Sequence, residues 1–404
     1  MIEAIGFVEP GFEEVREVFL GNFEKHDEVG ASVCVYLNGR PVVDLTGGTT
    51  TDGRPYDENS LQLVFSTTKG MTAVCAHMLA QAGDLDFDVP VIEYWPEFGD
   101  YGKGNIPVSW LLSHRSGLVD TSMSLTLDEA LDWDTVTAAL AASKPLWEPG
   151  TQHGYHAITY GWLVGEIIRR VSGMGIGEYF QTHIADRLGL DFWVGLPKEQ
   201  HHRVARLIPM GLPGGMGLPD QQRDTTAGDS AGGGGKSFTE MLDSFLGPGN
   251  LLGRALTAPG GALGDQGVWN EPRIWSAAIP SANGIGNARS IARVYSACID
   301  EVDGQRLLNP DTLDRALVQQ VSGPDSVLMM PIPFGLGFML HSEFSGFSTD
   351  GSFGHYGAGG SLGFADPGLG IGFGYVMNKM QLSLAGDKRT GSLIAAVKRS
   401  AARI

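Results

Sequence analysis

Cysteine is scarce in this chain, with three in 404 residues (Cys34, Cys75 and Cys298). That number excludes a disulfide scaffold, and the wide separation excludes a cysteine metal motif. All three sit in apolar runs, where a free cysteine behaves as a small buried hydrophobe. Positive charge is also short: 28 Lys and Arg stand against 46 Asp and Glu, a formal net charge of −18. Such a field repels phosphate, so neither nucleic acid nor an anionic membrane is an expected partner. No apolar run approaches the ~18 residues of a membrane span. The N-terminus places Glu3, Glu9, Glu13 and Glu14 where a signal peptide would carry a basic patch and an apolar core. The expected location is therefore cytoplasmic.

What is present is ordinary globular composition, 42% hydrophobic and 18% charged. The length suits about two to three domains, yet there is no internal repeat and no long linker. A helix is expected over 10–26. Val33, Val35 and Leu37 alternate before Asn38-Gly39, and Val42, Val43 and Leu45 follow it, which is a hairpin signal. Short runs cut by glycine at 334–340, 361–367 and 371–378 suit antiparallel strands, with a closing helix over 388–402. Between these ends, residues 107–117, 125–142, 155–172 and 177–188 carry helical spacing. The stretch 210–236 is too rich in glycine to be regular and reads as a surface loop, either gating a cleft or merely exposed. The expected organisation is a discontinuous α/β domain, 1–88 with 280–404, and an inserted helical domain, 89–279. A site at the seam is the default expectation.

The sharpest chemical signal is VFSTTKGMTAVCAHMLAQAG at 64–83. Met71, Val74, Cys75, Met78 and Leu79 form one apolar helical stripe, and Gly83 sits where a C-terminal cap belongs. Ser66 lies at the helix start and Lys69 one turn on, on the same face. The positive end of a helix dipole favours a developing alkoxide. A lysine desolvated beside it has a lowered pKa and serves as a base. S-x-x-K is then a nucleophile and base within one turn. The same two residues also fit an N-cap and a solvated side chain.

Together with four further stretches, this segment resembles the serine β-lactamase and penicillin-binding-protein superfamily, in its class C-like branch of family VIII carboxylesterases. The others are GDLDFDVPVIEYWPEF with VSWLLSHRSGL (108–118), WEPGTQHGYHAITYGWLVGEII (147–168), IPSANGIGNARSIARVYSA (279–297) and FGHYGAGGSLGFADP (353–367). The resemblance runs from about residue 28 to 400. It implies an α/β, β-lactamase-like fold with a central antiparallel sheet flanked by helices and an inserted, mainly helical domain. It also implies a serine carboxylesterase without metal or cofactor, acting on small-molecule esters of small to medium acyl chains. Carried over, Ser66 is the nucleophile, Lys69 its activating partner, and Tyr155 the base that later protonates the leaving group. The backbone N–H groups of Ser66 and Ala358 form the oxyanion hole, and His355 and Gly357 edge the substrate site. Acyl transfer from the same intermediate, or β-lactam or D-amino peptide hydrolysis, are the alternatives.

Two departures bear on substrate. The family's Y-x-N is Tyr155-His156-Ala157 here, and its K-T-G is His355-Tyr356-Gly357. The second loses a permanent cation that recognises an anionic lactam, which favours neutral esters. His355 equally fits a structural hydrogen-bonder. Trp269 and Trp275 fit either an acyl pocket, where Trp275 is placed among the substrate-binding residues, or a cover over the core. GDSAG (228–232) and GGSLG (359–363) mimic a nucleophile elbow without its strand and helix. AGGGGKS (231–237) mimics a phosphate loop but has Ser230 where the first glycine belongs. His153 with His156, and His201 with His202, lack a third ligand at metal spacing. Oligomeric state is not legible.

Overall fold

The structure is a computed structural model that describes residues 2–210, 246–247, 249–383 and 386–403. Its frame is a seven-stranded antiparallel sheet in the order β1-β3-β2-β10-β9-β8-β7. The strands are β1 (Ala4–Val8), β2 (Gly30–Leu37), β3 (Arg40–Gly48), β7 (Met339–Leu340), β8 (Phe353–Tyr356), β9 (Leu362–Asp366) and β10 (Ile371–Met377). A second sheet of three short strands runs in the order β4-β6-β5, from β4 (Gln62–Leu63), β5 (Phe192–Val194) and β6 (Gly284–Gly286). The chain thus folds as an α/β protein with a central antiparallel sheet flanked by helices, the architecture that the resemblance implies.

The Asn38-Gly39 turn joins β2 to β3 with both residues at positive φ, 49° and 75°. This is the mirror-image turn whose twist matches a hairpin. The alternation in β2 does not produce one wet face, because all but Leu37 of its residues are buried. Helices cover both faces, and a strand covered on both sides has no solvated side to mark. The Ala288–Ile299 helix packs on β10, β2 and β9, while Glu13–Lys25 packs on the C-terminal helix Lys388–Ala401.

The Thr68–Ala82 helix ends at Gly83, whose φ of 83° provides the expected left-handed cap. The expected apolar stripe is only part of its buried surface. Lys69, Gly70, Thr72, Ala73 and His77 are buried too, because the helix is wedged between β8 and the Thr159–Ser172 helix. The helical pattern over 125–142 becomes two helices, Leu127–Leu131 and Trp133–Ala141. Asp132 both ends the first and caps the second by accepting from the N–H of Thr135. Of the 334–340 run only Met339–Leu340 is strand. The three cysteines are buried and free. Residues 211–236 of the glycine-rich loop, with GDSAG and AGGGGKS, lie outside the described residues. Among the described residues no helix is long and apolar enough to cross a membrane.

Candidate active site

Ser66 sits in a 3-10 turn, Phe65–Thr67, that joins β4 to the Thr68–Ala82 helix. Two contacts fix the turn: the N–H of Val64 donates to Gly284 O at 2.9 Å, and the N–H of Gly284 donates to Thr68 Oγ1 at 2.9 Å. Phe65 has φ 44°, in the left-handed region that a bulky residue seldom occupies. Strain of that kind persists only where the surroundings impose it, and it gathers at functional sites. Ser66 is the partly exposed residue of the turn and opens into a cavity of about 410 Å³.

Lys69 is fully buried, and its Nζ lies 3.0 Å from Ser66 Oγ. The amine also donates to Ala157 O at 2.6 Å and to Ser281 O at 3.0 Å. Among the described residues no carboxylate pairs with it, so burial holds the amine well below its ordinary pKa. A neutral amine has two N–H bonds and one lone pair. With its N–H bonds on the two carbonyls, a neutral amine here would turn that lone pair to the Ser66 hydroxyl 3.0 Å away. At 157, where the side chain is only a methyl group, it is the backbone carbonyl that holds the lysine.

Tyr155 lies over this amine, with Lys69 Nζ 4.8 Å from its ring centroid, and the Ser66 side chain is near enough to its hydroxyl to offset part of the effect of burial. Burial raises the phenol above its ordinary pKa, and it lowers that of the Lys69 amine. Environments that push two pKa values apart separate a base from an acid. The ring rests on His114 (centroids 5.0 Å apart) and Phe334 (6.0 Å), and its backbone N–H donates to the buried Asp325 at 3.0 Å.

The four N–H groups from Gly357 to Gly360 have unequal fates. Those of Gly357, Gly359 and Gly360 donate to Ser361 O, Ser383 O and Gly357 O. Among the described residues, only that of Ala358 has no protein acceptor, and Ala358 lines the same cavity as Ser66. The Ser66 N–H has none among them either. Two unpaired donors at one cavity edge fit a developing oxyanion.

Three sequence expectations need correcting. His355 does not line the cavity. It is buried behind the Tyr155 ring, 6.0 Å between centroids, with Nδ1–H donating to Tyr356 O at 2.7 Å. Burial pushes its pKa down to about 3, so it is neutral. Gly357 is not a lining residue either. A Cβ there would lie 2.2 Å from Val64 O and 2.1 Å from Ser361 Oγ, so glycine lets β8 close on the Ser66 turn. Trp275 points elsewhere, because its indole N–H donates to Trp269 O at 2.9 Å. It lines a separate polar cleft with Arg54, His201 and Arg206. Trp269 is the tryptophan at the cavity, edge-on to Phe65 at 5.1 Å.

The look-alike motifs resolve structurally. Ser361 of GGSLG is buried and donates to Val64 O at 2.7 Å, tying β9 to the Ser66 turn. His156 accepts from Leu118 N–H and donates through Nδ1 to Gly154 O, a loop brace. His153 lies 3.9 Å from Asp325, and His201 and His202 lie in the 3-10 turn Lys198–Arg203. Sequence reasoning missed the carbonyls of Ala157 and Ser281, and also His114 and Asp325, because carbonyls carry no side-chain signature. It also missed most of the cavity wall: Leu207, Met210, Leu252, Leu256, Met330 and Met380. Among the described residues none lining the cavity is charged, and Ser66, Gln266 and Ser383 are its polar side chains.

The Beta-lactamase family model matches residues 15–396. An esterase/beta-lactamase of Mycobacterium tuberculosis, LipL, is 32% identical over 388 residues, 93% of this chain and 83% of that protein. A solved family VIII carboxylesterase is 33% identical with a TM-score of 0.84, covering 98% of this chain and 100% of that one. A penicillin-binding-protein homologue from Caulobacter crescentus is 34% identical with a TM-score of 0.83, again covering 98% and 100%.

Proposed function

Because the chain belongs to the Beta-lactamase family and is a hydrolase of the esterase/beta-lactamase type, we propose that it cleaves carboxylic esters of small to medium, apolar acyl chains through an acyl-Ser66 intermediate. One observation carries this reading: the Lys69 amine is buried without a carboxylate partner among the described residues, donates to two carbonyls and lies 3.0 Å from Ser66 Oγ. Ser66 Oγ attacks the acyl carbon and its proton passes to Lys69 Nζ. The oxygen that becomes negative accepts hydrogen bonds from the Ser66 and Ala358 N–H groups, each such donor being typically worth ~3 kcal/mol of barrier. The C–O bond to the alcohol breaks as that oxygen takes a proton from Tyr155, and Tyr155 is refilled from Lys69. Water then repeats the cycle on the acyl carbon, and carboxylic acid leaves Ser66.

The uncharged wall supports esters over lactams. A β-lactam or D-amino peptide brings a carboxylate, and an anion moved into an uncharged cavity loses hydration without gaining a cation. A cavity of about 410 Å³ lies toward the small end of ligand sites, which suits short and medium chains. Purified wild type and Ser66→Ala, assayed on p-nitrophenyl acetate and butyrate beside a chromogenic cephalosporin, test the reading. The expectation is ester turnover that disappears in the variant, with the cephalosporin the poorer substrate. Cephalosporin turnover faster than ester turnover would overturn it in favour of a lactamase.

A further inference from the structure

Behind the Ala358 turn lies a buried ion cluster that the chemistry above does not use. Arg389, the second residue of the C-terminal helix, is fully buried. A guanidinium has five N–H donors in a fixed plane, and here every one is placed. Nε donates to Asp387 Oδ1 at 3.1 Å. Nη1 donates to Glu28 Oε1 at 3.0 Å and to Lys379 O at 2.9 Å. Nη2 donates to Asp387 Oδ2 at 2.7 Å and to Gly359 O at 2.6 Å. The last of these is a bond to the carbonyl one residue beyond Ala358.

The turn is formed against this group. Gly359 O also accepts from the N–H of Gln381 at 3.0 Å, so both of its lone pairs are used. Gly360 has φ 124°, and a Cβ there would lie 2.4 Å from Arg389 Nη2 and 2.4 Å from Asp387 Oδ2. Only glycine allows the backbone to come so close. With Gly359 and Gly360 held from behind, the Ala358 N–H is, among the described residues, the one left free to face the cavity. Buried ion clusters are seldom retained for stability, since apolar replacements often do as well. One whose donors hold the backbone beside a reaction centre has a geometric use.

We propose that Arg389, oriented by Asp387, is a positioning residue that sets the direction of the Ala358 N–H toward the developing oxyanion. This rests on the reading of Ser66 and Ala358 as the oxyanion hole. Displacing a donor by an ångström weakens transition-state binding far more than substrate binding. Lysine is shorter and lacks the planar fork, so it cannot serve Asp387 and Gly359 together.

Arg389→Lys should lower kcat on p-nitrophenyl butyrate by about 10- to 100-fold while KM stays within about threefold. The affinity for an alkyl boronic acid, whose tetrahedral adduct imitates the oxyanion, should fall in step with kcat. Glu166 controls for general damage: it is equally buried among Trp133, Arg169 and Arg170 but does not line the cavity. Glu166→Gln should lower the melting temperature and leave kcat and boronate affinity unchanged. If Arg389→Lys does not fold, Asp387→Asn keeps a helix cap but releases the guanidinium, and it should give the same split in a milder form. Unchanged kcat in the folded variant, or equal loss in kcat, 1/KM and Glu166→Gln, would overturn the proposal. Failure of wild type to bind the boronate would instead overturn the oxyanion-hole reading, and the proposal with it.

Discussion

The polar floor, at the Ser66 end of the cavity and in the layer directly behind it, comes from a few short stretches of chain, at residues 65–69, 155–157, 281 and 358. The apolar wall is gathered from positions as far apart as Leu207, Leu256, Met330 and Met380. The floor is built of groups held by hydrogen bonds to single atoms, Lys69 to Ala157 O and Ser281 O above all. The wall is built of side chains whose requirement is to be apolar and of suitable size. On the proposed function the floor sets whether a reaction occurs, and the wall sets which acyl group it occurs on. Substitutions in the first should collapse kcat for every substrate, and substitutions in the second should reorder substrates.

The largest expected effect is at the base. Lys69→Ala should lower kcat by at least ~10³-fold on acetate and butyrate alike, since nucleophile and base act as a unit. Retention of more than about a tenth of kcat would break the assignment. Tyr155→Phe keeps the ring over Lys69 and removes only the hydroxyl. It should lower kcat by about 10²-fold, within the range of a positioned acid, again independent of chain length. A variant that lost butyrate turnover selectively would move Tyr155 from the floor to the wall.

How much of this was legible follows the same division. Ser66, Lys69 and Tyr155 stand in local motifs, because one helical turn and one turn-to-helix junction suffice to place them. The Asn38-Gly39 hairpin and the Gly83 cap were legible for the same reason. Trp275 was mistaken for a wall residue because its distance along the chain from Trp269 does not report which way an indole points. Its hydrogen bond to Trp269 O turns it away. His355 was placed at the substrate because it occupies a motif position, yet it faces the back of Tyr155. Arg389 carried no local signal at all, since its partners Glu28 and Gly359 come from distant parts of the chain.

The wall is tested by volume. Each added methylene buried there is worth about 0.8 kcal/mol, so kcat/KM should rise roughly fourfold per methylene until the cavity is full. Leu256→Trp, which fills part of it, should cut butyrate kcat/KM by about tenfold and leave acetate within about threefold. Equal loss on both esters would mean that the wall also shapes the floor.

The smallest effect expected is in the pH profile. Burial holds Lys69 well below its ordinary value and Tyr155 above its own. The base works when neutral, so activity is gained as pH rises through the lowered Lys69 pKa. Loss of the Tyr155 proton falls beyond the alkaline end. The rise therefore falls below the ordinary lysine range, and kcat/KM should be level before the pH reaches that range. A profile still climbing through the ordinary lysine range would show that Lys69 is solvated.

The most direct measurement is to mix the protein with p-nitrophenyl butyrate, quench in acid within the first turnovers, and map the added mass by peptide mass spectrometry. A butyryl group on the peptide carrying Ser66, and none in Ser66→Ala, is the predicted result. Turnover with the adduct on another residue, or turnover that survives in Ser66→Ala, would contradict the account.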